Sequence, residues 1–216
     1  MTTSAGTILL VVAMLGCGGG ARPTPRAPTP TPVPTPATPA PAAAACDLRQ
    51  GEILREADAL AAPWSTAQHL ARNFPDGRVA WLMKAASYTK YVVELDASRW
   101  GRCDDTGCYV FVAPAAVIHA AVERSMADGR HDPAVLGQAL GLPAANFDGP
   151  LRMMTLDLDD VAACARLPVE RDPGVWKCAS AEDTACFAFG GYTSGGIPEL
   201  IVIDAPVAGT TITPVP

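Results

Sequence analysis

The sequence predicts a single α+β domain over residues 46–216, on three observations. Apolar residues recur at helical spacing after Cys46 and again after Pro114. Short runs rich in β-branched and aromatic residues, bounded by turn formers, fill much of the remainder. Six cysteines are spread through the same span, an even number suited to cross-linking in an oxidising compartment. The 216-residue chain, 49% apolar and 18% charged, has the composition of a globular protein.

Helices open the domain. Ile53, Leu54, Ala57, Leu60 and Ala61 fall on one helical stripe, and Pro63 stops it. Ser65 followed three residues later by Gln68 forms a capping box for a second, short helix toward Phe74. Pro75, Asp76 and Gly77 then make a turn. Residues 78–87 fit helix or strand equally. Residues 91–95 (YVVEL) and 109–112 (YVFV) read as strands flanking the turn Cys103-Asp-Asp-Thr-Gly-Cys108, which predicts a β-hairpin pinned by a Cys103–Cys108 disulfide. A helical pair follows. Pro114 opens the first and Asp128-Gly129 ends it; Asp132-Pro133 caps the second, which runs through Leu140 to Gly141. Residues 151–159 alternate, with Leu156 and Leu158 on one face and Thr155, Asp157 and Asp159 on the other, as in a half-buried strand. Residues 200–203 (LIVI) form a buried strand, and residues 210–213 add an edge strand.

Two segments precede the domain. Residues 7–16 (TILLVVAMLG) are an apolar run of ten, half the length that a membrane-spanning helix needs, so they read as the core of a signal peptide over residues 1–16. Residues 22–45 hold nine of the 21 prolines in a near-alternating Pro/Thr/Ala tract. Fixed φ values and missing N–H donors keep such a tract out of a core and favour an extended tether over residues 17–45. An exported chain spends few thiols on coordination: no CxxC occurs, and no metal or cofactor is expected. Beyond Cys103–Cys108, the expected pairs are Cys178–Cys186 around a small polar loop and Cys46–Cys164, which clips the start of the domain to its later half.

Charge removes one class of function. The net charge is −6 for the chain and −8 from residue 46 onward, because Arg22 and Arg26 are the charged residues before it. A nucleic-acid-binding surface is not expected, nor a polybasic patch for anionic lipid.

The densest candidate site is the stretch Phe189-Gly190-Gly191-Tyr192-Thr193-Ser194-Gly195-Gly196-Ile197-Pro198-Glu199. Gly190, Gly191, Gly195 and Gly196 let a backbone approach a ligand, Thr193 and Ser194 offer hydroxyls, Tyr192 a stacking surface, and Glu199 a general base or electrostatic partner. The competing reading is a tight turn whose glutamate caps a strand end. Elsewhere, His119 and Glu123 are a helical i, i+4 pair, and Asp157, Asp159 and Asp160 gather acid without the glycine and closing glutamate of a Ca²⁺ loop. Phosphate-binding, dinucleotide-binding and nucleophile-elbow motifs are absent.

Met14-Leu15-Gly16-Cys17, followed by three glycines, resembles the lipobox of bacterial lipoproteins. Met14 replaces the favoured Leu, and the preceding residues carry no Lys or Arg; an ordinary secretory leader is the alternative, and both export the chain. The resemblance implies acylation of Cys17, anchorage in a lipid bilayer and, with Gly18 rather than Asp after it, sorting to the outer membrane. The loop is similar over a tenth of the chain to a Gly-Gly-x-Thr-Ser-Gly-Gly-x-x-Glu stretch in C-terminal domains of bacterial polymorphic toxins, which implies a role for Glu199. ADP-ribosyltransferases also present a glutamate behind a mobile loop, but their arginine and Ser-Thr-Ser strand have no counterpart here. The expected function is an envelope-anchored lipoprotein displaying a binding domain for an unidentified envelope or target-cell protein; the alternative is a lipoprotein-borne toxin or enzyme using Glu199.

Overall fold

The computed structural model describes residues 46–161, 163–170, 172, 191–193 and 195–216. Helix α1 (Leu48–Ala61) starts at Asp47, whose carboxylate accepts the Gln50 N–H at 2.7 Å. It buries Ile53 and Ala57 of the predicted stripe together with Gln50, whereas Leu54 and Ala61 are half-buried and Leu60 stands in solvent, so the buried face is narrower than expected. The N-cap half of the capping box forms as expected, the Ser65 hydroxyl accepting the Gln68 N–H at 3.3 Å at the start of α2 (Thr66–Asn73), while Gln68 Oε1 accepts from that hydroxyl at 3.2 Å. Gly77, at φ +65°, completes the turn into β1 (Arg78–Lys84), so the ambiguous run 78–87 is strand as far as Lys84 and helix from Ala85.

The next segment departs from expectation. Residues 91–95 do not form a strand: α3 (Ala85–Tyr88) runs on into a π-helical turn, Thr89–Val93. Of this turn only Val92 is buried, so the period-two pattern of YVVEL had no sheet face to serve. The hairpin is instead made by the shorter β2 (Arg102–Asp104) with β3 (Gly107–Pro114), in the register Cys103 opposite Cys108, and the disulfide joins them. A second correction concerns Asp128-Gly129. Helix α4 (Ala115–Ser125) ends earlier, and Asp128 and Gly129, at φ +50° and +78°, make the two-residue turn between β4 (Met126–Ala127) and β5 (Arg130–His131). Helix α5 (Pro133–Leu140) has Asp132 as N-cap and Gly141 in the left-handed conformation at its end, as predicted.

Strands β6 (Leu151–Asp157), β7 (Cys164–Arg166), β8 (Leu200–Ile203) and β9 (Thr211–Val215) complete an antiparallel sheet in the order β7-β8-β3-β1-β6-β9, with β2 beside β3. Strand β9 is the edge strand expected near residues 210–213. Strand β6 is central and buries residues on both faces, so the half-buried pattern expected of it applies only to its end. The fold is α+β.

Both sheet faces are covered. Val79, Trp81, Val112, Met154, Leu156, Leu200 and Val202 share one core with Ile53, Ala57, Leu70 and Phe74 of α1 and α2. The alternate residues Ala80, Ala113, Leu151 and Met153 pack against Ile118, Leu136 and Leu140 of α4 and α5. The Cys46–Cys164 disulfide ties the start of α1 to β7 across 118 residues. Both expected cross-links within the described residues are therefore present; Cys178 and Cys186 lie outside them.

Candidate functional site

Strand β8 is entered through a miniature hairpin. Glu199 N–H donates to the Gly191 carbonyl at 2.8 Å, Thr193 N–H to Ile197 at 2.9 Å, and Gly196 N–H to Thr193 at 2.9 Å, with Tyr192 facing Pro198. Glycine is required where this hairpin meets α2: Gly191 is at φ +93°, and a Cβ there would lie 2.5 Å from Leu167 Cδ2 and 2.9 Å from His69 Cε1. On the other side, Thr193 Oγ1 donates to the Leu140 carbonyl at 3.0 Å, and the Gly141 and Gly195 backbones touch. The end of α5 and the face of α2 thus clamp the glycine-rich stretch. Gly195 and Gly196 remain exposed; Gly190 and Ser194 lie outside the described residues.

His69 is the fully buried centre of the clamp on the α2 side. Its Nδ1 is 3.3 Å from Trp64 Nε1 and 3.1 Å from Asn73 Nδ2, both donors, so Nδ1 is the acceptor and the ring proton belongs on Nε2. The Glu199 main-chain carbonyl lies within reach of the ring, without meeting the geometry of a full hydrogen bond to Nε2. Burial lowers the His69 pKa from 6.5 to about 4, partly offset by that carbonyl. The Tyr192 ring stands edge-on to His69 at 4.9 Å between centroids, and its hydroxyl accepts from Asn73 at 3.0 Å. Tyr192 is thereby engaged in packing.

Glu199 follows the register one step beyond Val112–Leu200, which sets it beside Ala113. Alternation along β8 places Leu200 with the α1–α2 core, so Glu199 falls on the opposite sheet face, with Ala113 and Ile201. Its side chain is half-buried and pairs with no described residue through a hydrogen bond or salt bridge. Burial alone raises its pKa from 4.5 to about 7. The arrangement therefore joins Glu199 to His69 through the main chain, while Tyr192 and the carboxyl group occupy different faces. Chemically, it offers an acid/base group titrating near neutrality with no described nucleophile or cationic side chain beside it.

The remaining candidates are surface features. His119 and Glu123 are both exposed on α4. Asp157 Oδ1 accepts the Asp159 N–H at 3.0 Å, so these acids serve their own turn. Among the described residues no three His, Cys, Asp or Glu side chains gather to hold a metal.

Sequence reasoning missed a buried polar network on the neighbouring strand β7, whose next residue, Leu167, touches Gly191. Arg166 forms a bidentate salt bridge to Asp172, at 2.7 and 2.6 Å, with both side chains buried. Arg166 Nε donates to Gln50 Oε1 at 3.0 Å, and Gln50 Nε2 donates to the Thr106 carbonyl at 2.7 Å. The residues that build it are separated by up to 122 positions, so no local pattern announces it; the polar Gln50 inside an apolar stripe was the available signal. No family model matches this chain, and no curated protein or solved structure matches it.

Proposed function

We propose that this chain is an exported lipoprotein, acylated at Cys17, that displays its disulfide-stapled α+β domain from the membrane on a proline-rich tether. The observation that carries the reading is the pair of cross-links, Cys46–Cys164 and Cys103–Cys108, which match the leader and the oxidising compartment it implies. The domain acts by binding an envelope or target-cell protein: the carboxyl group of the most distinctive loop has no described catalytic partner, and Gly191 of that loop is packed against His69 and Leu167. No helix among the described residues is long and apolar enough to cross a membrane. Substituting Cys17→Ser tests the reading. Loss of acylation and release from membranes supports it; unchanged membrane fractionation overturns the lipobox assignment.

A second reading rests on Glu199. A half-buried carboxyl held near neutrality is what a general acid or base needs, and it favours a toxin or enzyme. Expression in a bacterial host that forms disulfides separates the two. Growth arrest that disappears with Glu199→Gln supports catalysis; absence of arrest with either chain removes the toxin.

A further inference from the structure

Six large hydrophobic side chains are exposed among the described residues, and three of them fall within five positions: Tyr91, Val93 and Leu95, at 53, 56 and 67% exposure. They belong to the π-helical turn after α3 and the residues that follow it, a segment fixed to the core by buried Val92 and half-buried Tyr88. π-Turns are frequent at functional positions. The Lys90 ammonium lies 5.0 Å from the Tyr91 ring centroid, while Glu94 and Asp96 follow on the same segment, so the local charge is mixed.

The register shows which end of the domain this is. Tyr109, Ile203 and Cys164 lie in one row across β3, β8 and β7, and Cys164 is bonded to Cys46, where the chain enters the domain. Strand β1 runs antiparallel to β3 and therefore finishes, at Lys84, on that same end. The apolar turn and the attachment point of residues 1–45 share one end of the sheet.

We propose that residues 85–98 are a membrane-contacting knob, with Tyr91, Val93 and Leu95 entering the interfacial layer of the bilayer that anchors the chain. This rests on the anchoring reading above, since a tether of 29 residues reaching about 90 Å keeps the domain at high local concentration beside the surface. Under that condition a weak contact suffices. Tyrosine suits the interface because its ring is apolar and its hydroxyl stays hydrated, while lysine stems extend toward headgroups. The mixed charge makes the contact apolar in origin and insensitive to salt.

Hydrogen exchange of the full chain, purified as exported, tests the proposal with vesicles of phosphatidylethanolamine and phosphatidylglycerol. The expected result is exchange over residues 85–98 slowed about tenfold by vesicles, at low and high salt alike, and restored by Tyr91→Ser/Val93→Ser/Leu95→Ser. Leu60→Ser, an exposed apolar residue of α1, leaves the slowing intact. Intact mass on the same sample reports acylation separately: an unacylated chain still slowed by vesicles overturns the anchor and keeps the knob. Exchange unaffected by vesicles overturns the knob, as does slowing that follows protein concentration instead, which assigns the surface to a second copy of the chain.

Discussion

His69 and Glu199 meet through one main-chain carbonyl, and their titrations oppose each other. Glu199 favours its neutral acid in the fold, so its stabilisation is complete below about pH 4.5 and is lost as pH rises through about 7. His69 favours its neutral base, so its contribution is complete above about pH 6.5 and is lost as pH falls through about 4. Between those limits the two slopes cancel in part. Relative to the unsubstituted protein, Glu199→Gln is expected to gain stability progressively as pH rises from 5 to 8, and His69→Gln to lose less stability on acidification. Denaturant midpoints across that pH range measure both; parallel curves for all three proteins contradict the assigned shifts. The Arg166–Asp172 pair behaves differently because it is a buried charge pair. Asp172→Ala leaves the guanidinium uncompensated and should cost about 3–5 kcal/mol, whereas joint replacement of both by apolar residues should cost much less. A double-substitution cycle by urea unfolding reads the difference.

At the scale of elements, the two described disulfides close loops of very different length. Chain entropy assigns about 5 kcal/mol to Cys46–Cys164, with its separation of 118, and about 2 kcal/mol to Cys103–Cys108, with its separation of 5. Replacing both cysteines of each pair by alanine and comparing thermal midpoints tests that order; an equal or reversed loss contradicts it. These elements also show what the sequence makes legible. Capping residues are local chemistry, so Ser65, Asp132 and Gly141 marked helix ends correctly. The pair Cys103–Cys108 was legible because four turn formers bring its ends together. The segment at 91–95 is not a strand because β-branched and aromatic side chains favour strands only where a pleated face receives them, and here four of the five stand in solvent. Strand β6 looked half-buried because alternation reports one face, and its central place between β1 and β9 was decided by residues far away in sequence. The candidate loop was legible as glycine-rich; its clamping by His69, Asn73 and Leu140 was not, since those contacts depend on tertiary placement.

For the whole molecule, distant parts of the chain meet at Trp100, which is fully buried against Trp81 of β1 and Tyr88 of α3 and donates its Nε1 proton to Thr210 at 2.8 Å. Trp100→Ala should cost about 3–5 kcal/mol, seen as a lowered thermal midpoint; a change within experimental scatter would falsify its place at the centre of the core. Location is the larger claim of the proposed function, because an exported chain has its cysteines acylated or cross-linked, and the proposed binding role depends on display at a membrane. The most direct measurement is the intact mass of the protein purified from its native host, with thiols alkylated before reduction. The account predicts a chain starting at Cys17, heavier by its acyl groups, with no alkylated cysteine. A chain that retains residues 1–16 and carries alkylated, unacylated cysteines contradicts it.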